Sequence, residues 1–172
     1  MTSIGSVHLV FSLLAIVFGA VTLLLPKGTR WHRTWGHGYV WCMLGLIVTA
    51  LVTYDLTGGV TPFHLAAVVA LVTVGAGLWV ALARRPAGGW VEAHATWMAW
   101  SYVGLMAAFV AESLTRFVMP RMAGTLEEAS LWGAFWALVA VGSLGAGAGG
   151  AWLIRRKLPA AVKGVRRVGS ET

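Results

Sequence analysis

Residues 56–83 read LTGGVTPFHLAAVVALVTVGAGLWVALA and contain no Lys, Arg, Asp or Glu. A helix needs roughly 20 residues to cross a hydrocarbon core of ~30 Å. Four further stretches of similar length also lack these charges, namely 1–26, 34–54, 93–111 and 129–154. The stretches do not alternate as barrel strands would, and they lack the polar stripe of a soluble helix. The sequence therefore predicts an all-α integral membrane helix bundle with five crossings.

The predicted helices cover about residues 4–25, 36–54, 62–83, 93–114 and 131–154. The first four form a histidine-bearing bundle over residues 1–114, and the fifth, over 131–154, is rich in glycine. An extracytoplasmic loop over 115–130 is expected between them, and a basic cytoplasmic tail over 155–172. In the fifth helix Gly142, Ala146 and Gly150 recur every four residues, so another helix could approach closely there, from this chain or from another membrane subunit.

Basic residues concentrate on one side of the predicted bundle. The side opposite the N-terminus holds eleven of the thirteen Lys and Arg residues: Lys27, Arg30, Arg33, Arg84, Arg85, Arg155, Arg156, Lys157, Lys163, Arg166 and Arg167. The side of the N-terminus holds only Arg116 and Arg121, together with Asp55, Glu112, Glu127 and Glu128. The positive-inside rule then predicts an outside N-terminus and a cytoplasmic C-terminus. The net charge of +7 thus reports topology and a lipid bilayer partner, and no nucleic acid is expected.

A repeat relates the first two predicted helices to the third and fourth. His8 precedes Gly19 by eleven residues, as His64 precedes Gly75. His32-Arg-Thr-Trp35 likewise recurs as His94-Ala-Thr-Trp97. Because both hairpins start on the same side, the copies are expected to be related by an axis along the membrane normal.

The repeat places two histidines near each predicted membrane face. His8 and His64 lie near the outer face, whereas His32, which precedes the second helix, and His94 lie near the inner face, where His37 is a fifth histidine. Paired imidazoles on facing helices are the axial ligands that haem b requires. Imidazole also suits Cu or Zn. Arg116, four residues after Glu112, could form an ion pair or meet an anionic group such as a haem propionate.

Three functions remain open from these residues. The first is a b-type cytochrome that moves electrons to or from a quinone or another redox partner. The second is a non-haem Cu or Zn protein, and the third is an accessory subunit in which histidines and glycines only pack. The sequence contains neither a phosphate-binding loop after a strand nor a convincing Ser-His-Asp triad pattern, which argues against hydrolysis and phosphoryl transfer. Whether the protein is an enzyme stays open.

The histidine-bearing segments also carry a family resemblance. Val7-His8-Leu9-Val10-Phe11, Lys27-Gly28-Thr29 with His32-Arg33, Pro62-Phe63-His64-Leu65, and His94-Ala-Thr-Trp-Met98 resemble an uncharacterised bacterial family of predicted multi-pass membrane proteins. Thr115-Arg116 with Pro120 belongs to the same pattern, which covers about residues 5–121. The resemblance implies a multi-pass protein of the bacterial inner membrane and brings no established activity. The layout is also similar to transmembrane diheme b-type cytochromes, by arrangement alone.

Overall fold

Five α-helices make up the structure, a computed structural model that describes residues 3–53, 58–123, 125 and 127–168, with side chains as far as residue 162. The helices are α1 (Ser3–Leu24), α2 (Arg30–Leu51), α3 (Pro62–Ala83), α4 (Trp90–Met122) and α5 (Glu128–Val168). Each is long and apolar enough to cross a membrane. The predicted all-α membrane bundle is therefore confirmed. Asp55, expected on the side of the N-terminus, lies outside the described residues.

Helices α4 and α5 extend further than the charge-free stretches predict, as does α2 at its start. Helix α4 runs to Met122, so the first half of the expected 115–130 loop is helical. Helix α5 begins at Glu128 and continues to Val168, so the expected basic tail over 155–172 is helical over most of its length. Charged residues mark where an apolar environment ends, but they do not end the helix itself, and both extensions continue past a proline, Pro120 in α4 and Pro159 in α5.

Helix α2 begins at Arg30, earlier than predicted, and His32 therefore lies within its first turn and does not precede it. The preceding Thr29 supplies the reason, because its hydroxyl oxygen accepts the main-chain N–H of His32 at 3.2 Å. Such a cap satisfies one of the N–H groups that a helix start leaves without a partner. Gly28, with φ of +81°, lets the chain turn sharply just before this cap.

The first four helices form a closed ring. Helix α1 packs on α2 and α4, and α3 packs on the same two helices. Within the described residues the backbones of α1 and α3 do not approach each other, and neither do those of α2 and α4. These helices therefore occupy opposite corners. A two-fold relation between hairpins requires this arrangement, although the repeat itself stays a prediction.

The centre of the ring is filled by side chains from all four helices. Met43, Val74 and Ser101 are almost completely buried, with Ala15 and Leu105 beside them. The Tyr39 hydroxyl forms a hydrogen bond of 2.9 Å with Ser101 Oγ, which joins α2 to α4 across the bundle. The middle of the bundle is consequently a packed core and leaves the two ends as places for a ligand.

Among the described helices, the backbone of α5 approaches that of α4, and its Phe135 and Trp136 rings also contact Phe63 at the start of α3. A Cβ added to Gly142 would lie 3.1 Å from Ala111 Cα, and one added to Gly150 would collide with Val103. The predicted close approach at this glycine face is therefore made by α4 of the same chain. Gly145 belongs to a different face, where a Cβ would meet no heavy atom within 4 Å in the described part of the chain.

The two glycines of the repeat have different surroundings. A Cβ at Gly19 would lie 2.5 Å from the Tyr102 ring, whereas one at Gly75 would meet no described atom within 4 Å. The close contact in α3 is made two residues later, at Gly77, where a Cβ would lie 2.5 Å from Met98 Sδ. Gly19 and Gly75 therefore make different contacts, because α3 presents a different face to its neighbour, and the repeat itself stays a prediction.

Candidate histidine site

His94 lies in the second turn of α4 and bonds to the main chain of α3. Its Nδ1 is 2.8 Å from the carbonyl oxygen of Gly77. A carbonyl oxygen can only accept a hydrogen bond, so Nδ1 carries the proton of the neutral imidazole. The other ring nitrogen, Nε2, then keeps its lone pair. The absence of a side chain at Gly77 allows α4 to come close enough for this contact.

His32 has the same protonation through a different partner. Its Nδ1 lies 3.3 Å from the carbonyl oxygen of Thr22, near the end of α1. That oxygen would normally accept the N–H of residue 26, but residue 26 is proline and has none. The ammonium of Lys27 bonds to the same oxygen at 3.1 Å. His32 thus donates from Nδ1 to a carbonyl that Pro26 leaves without its helical partner.

The structure brings His32 and His94 to the same end of the ring, which we call the His32 end. They stand on helices at opposite corners, and their rings are near enough to interact electrostatically. Both present an Nε2 lone pair. An imidazole that donates its other N–H to a carbonyl is the usual form of a histidine metal ligand, because that hydrogen bond fixes the ring and its protonation.

At the opposite end, which we call the His8 end, His8 bonds to α2. Its Nδ1 lies 3.0 Å from Thr49 Oγ1. The Thr49 hydroxyl is 2.9 Å from the carbonyl oxygens of Gly45 and Leu46, so its hydrogen is directed to the main chain. Its oxygen accepts the His8 proton, and His8 also keeps a lone pair on Nε2.

His64, the predicted partner of His8, has the opposite protonation. Its Nδ1 accepts the main-chain N–H of Thr61 at 3.1 Å, and the Thr61 hydroxyl lies 3.0 Å from the same nitrogen. A main-chain N–H can only donate, so the proton of neutral His64 resides on Nε2. This imidazole is buried and caps the start of α3. In this geometry its Nε2 has no lone pair to offer a metal.

Arg116, the last predicted site residue, forms an ion pair within its own helix. Its Nε and one terminal nitrogen lie 2.9 and 2.5 Å from Glu112 Oε1. The two side chains are 49% and 38% exposed. Both interact electrostatically with His8. Arg116 is therefore ion-paired with the Glu112 carboxylate, and this pairing disfavours the alternative in which Arg116 binds an anionic group of a ligand.

Other parts of the molecule offer less to a ligand. Among the described residues, no group of three or more His, Cys, Asp or Glu side chains is placed to hold a metal ion. His37 is exposed on α2. One cleft is lined by Phe11 with part of α2 and another by Arg30 with its neighbours, and neither includes a histidine. Among the described residues, a metal at either end would thus have at most two His, Cys, Asp or Glu ligands.

Sequence reasoning missed the residues that fix the imidazoles, namely Thr22, Lys27, Thr49, Thr61 and Gly77. One of them leaves a signal in the sequence, because a proline four residues after Thr22 frees a helical carbonyl. Thr61 lies at the capping-box spacing from His64. Thr49 and Gly77 are 41 and 17 residues from the histidines that they contact, and no spacing rule identifies them.

The fold and these ends define the protein as a polytopic helical membrane protein with histidines inside its bundle. The family described as "Predicted membrane protein (DUF2306)" matches residues 5–146, and the chain belongs to this family. The predicted family resemblance is thereby confirmed. No curated protein and no solved structure matches the chain. The similarity to diheme cytochromes stays a prediction.

Proposed function

We propose that the protein is a b-type cytochrome-like electron carrier of the membrane that holds one haem b between His32 and His94. One observation supports this most directly, namely that both imidazoles donate Nδ1–H to a main-chain carbonyl and keep Nε2 for a metal. The proposal is narrower than the arrangement expected from the repeat. It leaves out His8 and His64, because the two rings differ in protonation, and it leaves out Arg116, which is paired.

The residues at the His32 end fit a haem in the chemistry of their donors. Two neutral imidazoles are the axial set of many one-electron haem carriers, and haem b supplies that one-electron chemistry when bound. The carbonyls of Thr22 and Gly77 orient the rings and hold each proton on Nδ1. The packed centre around Met43 and Ser101 keeps water away from one side. Electrons would therefore enter and leave at the His32 end.

The proposed orientation follows from the charges. Eleven of thirteen Lys and Arg residues belong to the His32 end and to α5 beyond its apolar part, so this end faces the cytoplasm under the positive-inside rule. The N-terminus then lies outside a bacterial inner membrane. A quinone or a soluble redox protein on the cytoplasmic side is the partner that such a site would serve.

An absorption spectrum of protein purified from its native membrane tests the haem. We expect a Soret band and, after reduction, an α band. His32→Ala and His94→Ala should each remove most of the absorbance, while His37→Ala, which changes an exposed histidine of the same helix as His32, should retain it. A colourless wild type after haem supplementation would refute the proposal, as would unchanged spectra in the first two variants.

A copper ion at the same histidines is the second candidate. Met98 lies four residues after His94, and its thioether packs against Gly77, whose carbonyl binds His94. Thioether and imidazole together suit Cu(I). Elemental analysis of wild type and Met98→Leu separates the candidates, because a two-histidine haem is indifferent to Met98 and a copper site is not. Protein that carries neither iron nor copper but purifies with stoichiometric partners would instead support an accessory subunit.

A further inference from the structure

The turn between α1 and α2 contains a lysine whose side chain folds back onto the main chain. Lys27 Nζ lies 3.1, 2.5 and 3.2 Å from the carbonyl oxygens of Thr22, Leu23 and Leu25. Three acceptors match the three hydrogens of an ammonium group, whereas a neutral amine has only two. Half-burial lowers the pKa of Lys27 from its ordinary value, because desolvation disfavours the charged form. The three carbonyls oppose that effect.

This arrangement has a local cause. The last carbonyls of any helix lack an N–H partner, and a cation near them is favourable. Thr22 is one of these residues, and Pro26, four residues later, has no N–H to offer its carbonyl. Lys27 is the next residue and reaches back to three of the oxygens, those of Thr22, Leu23 and Leu25. A helix cap of this kind would suffice to explain its presence if the Thr22 oxygen had no other partner.

The same Thr22 oxygen also accepts the Nδ1–H of His32. The ammonium and the imidazole thus lie within 3.1 and 3.3 Å of one atom, and the two groups interact electrostatically. His94 differs in this respect, because its acceptor Gly77 is an ordinary residue inside α3. Of the two proposed ligands, only His32 therefore shares its acceptor carbonyl with a positively charged group, the Lys27 ammonium.

We propose that Lys27 is a positioning residue that raises the reduction potential of the metal held by His32. This inference rests on the proposed function. Two effects have the same sign. Hydrogen bonding to the ammonium withdraws electron density from the Thr22 carbonyl, so that carbonyl makes the imidazole less electron-rich than an unshared one would. The positive charge also disfavours the more positive, oxidised metal. Both effects stabilise the reduced state.

A redox titration of the purified holoprotein tests this role. Lys27→Met keeps the length of the side chain but removes the charge and the hydrogen bonds, and Lys27→Arg keeps the charge. At the wild-type midpoint we expect Lys27→Met to reduce the ratio of reduced to oxidised metal by about tenfold, equal to about 59 mV for one electron. Lys27→Arg should recover most of that change.

Arg30→Gln is the matched control, because it removes a positive charge from the first residue of α2 at the same end, where the side chain is exposed. We expect a change of less than about twofold in the same ratio, since solvent screens an exposed charge. A Lys27→Met protein that has the wild-type potential but melts earlier would overturn the inference and leave Lys27 as a helix cap. An equal shift in Arg30→Gln would also overturn it.

The two proposals fail in different ways. If wild type binds haem through His32 and His94 but its potential ignores Lys27, only the role of Lys27 is refuted. If the wild type binds no haem or other redox metal, both are refuted. Circular dichroism and the Soret intensity of each variant verify that the bundle and the bound group are retained.

Discussion

Gly142→Ala should weaken the attachment of α5 to α4, and the structure gives the size of the effect. The new Cβ would lie 3.1 Å from Ala111 Cα and 3.2 Å from Ala111 N. These are main-chain atoms of a residue that is 1% exposed, so no side-chain rotation relieves the contact. Overpacking of this kind costs about 1–3 kcal/mol.

Gly145→Ala is the matched control, because the same methyl group is added three residues away to the same helix, in open space. Alanine improves helix propensity over glycine by about 0.8–1.0 kcal/mol. That gain is common to both variants and cancels in their difference. We therefore expect Gly142→Ala to be about 1–3 kcal/mol less stable than Gly145→Ala.

The assay is reversible unfolding in mixed micelles of mild detergent and dodecyl sulfate, followed by tryptophan fluorescence. Trp132 and Trp152 of α5 make its separation from α4 visible. Equal unfolding free energies for the two variants would refute the assignment of Gly142 to the α4–α5 contact. A lower stability of Gly145→Ala would indicate that α5 presents its other face to α4.

Three further changes test the remaining contacts by the same measurement. Ser101→Ala leaves the buried Tyr39 hydroxyl without its partner and should cost about 1–3 kcal/mol, while adding Tyr39→Phe to it should recover part of the loss; a fully additive double variant would contradict the hydrogen bond. Thr29→Ala removes the cap of α2 and should cost about 1 kcal/mol, and an unchanged stability would argue against helix entry at Arg30. Glu112→Gln breaks a largely exposed ion pair and should cost less than about 1 kcal/mol; a larger loss would mean that the pair is buried by a partner.

The sequence predicted the number of helices because lipid imposes a strict requirement on length and polarity. It predicted helix ends less well, for a physical reason. A charged residue shows where an apolar stretch ends, yet the helix itself can continue beyond it. Residues 115–122 and 155–168 are helical in this way, in each case past a proline. The start of α2 was predicted too late in the chain, because Thr29 caps a first helical turn that already contains charged residues.

The sequence identified the histidines as candidate ligands, but it did not predict which ring nitrogen of each one carries the proton. Whether an imidazole can bind a metal through Nε2 depends on what its Nδ1 contacts, and for His8, His32 and His94 that partner is supplied by another helix. His32 and His94 donate to carbonyls 10 and 17 residues away. His64 accepts from a residue three positions away. His8 and His64, which the predicted repeat would place at matching positions, thus differ in protonation because one contacts a threonine hydroxyl and the other a main-chain N–H.

The contrast between the two ends bears on which one carries a function. At the His32 end, the two hairpins reach the same protonation by unrelated means, through a carbonyl freed by Pro26 in one and through the close approach at Gly77 in the other. Packing alone would not require this agreement, since either form of a neutral imidazole fills the same volume. A shared ligand on Nε2 would require it of both rings. At the His8 end the protonation differs, which a capping role for His64 explains without a ligand. This contrast is the reason for placing the proposed metal at the His32 end.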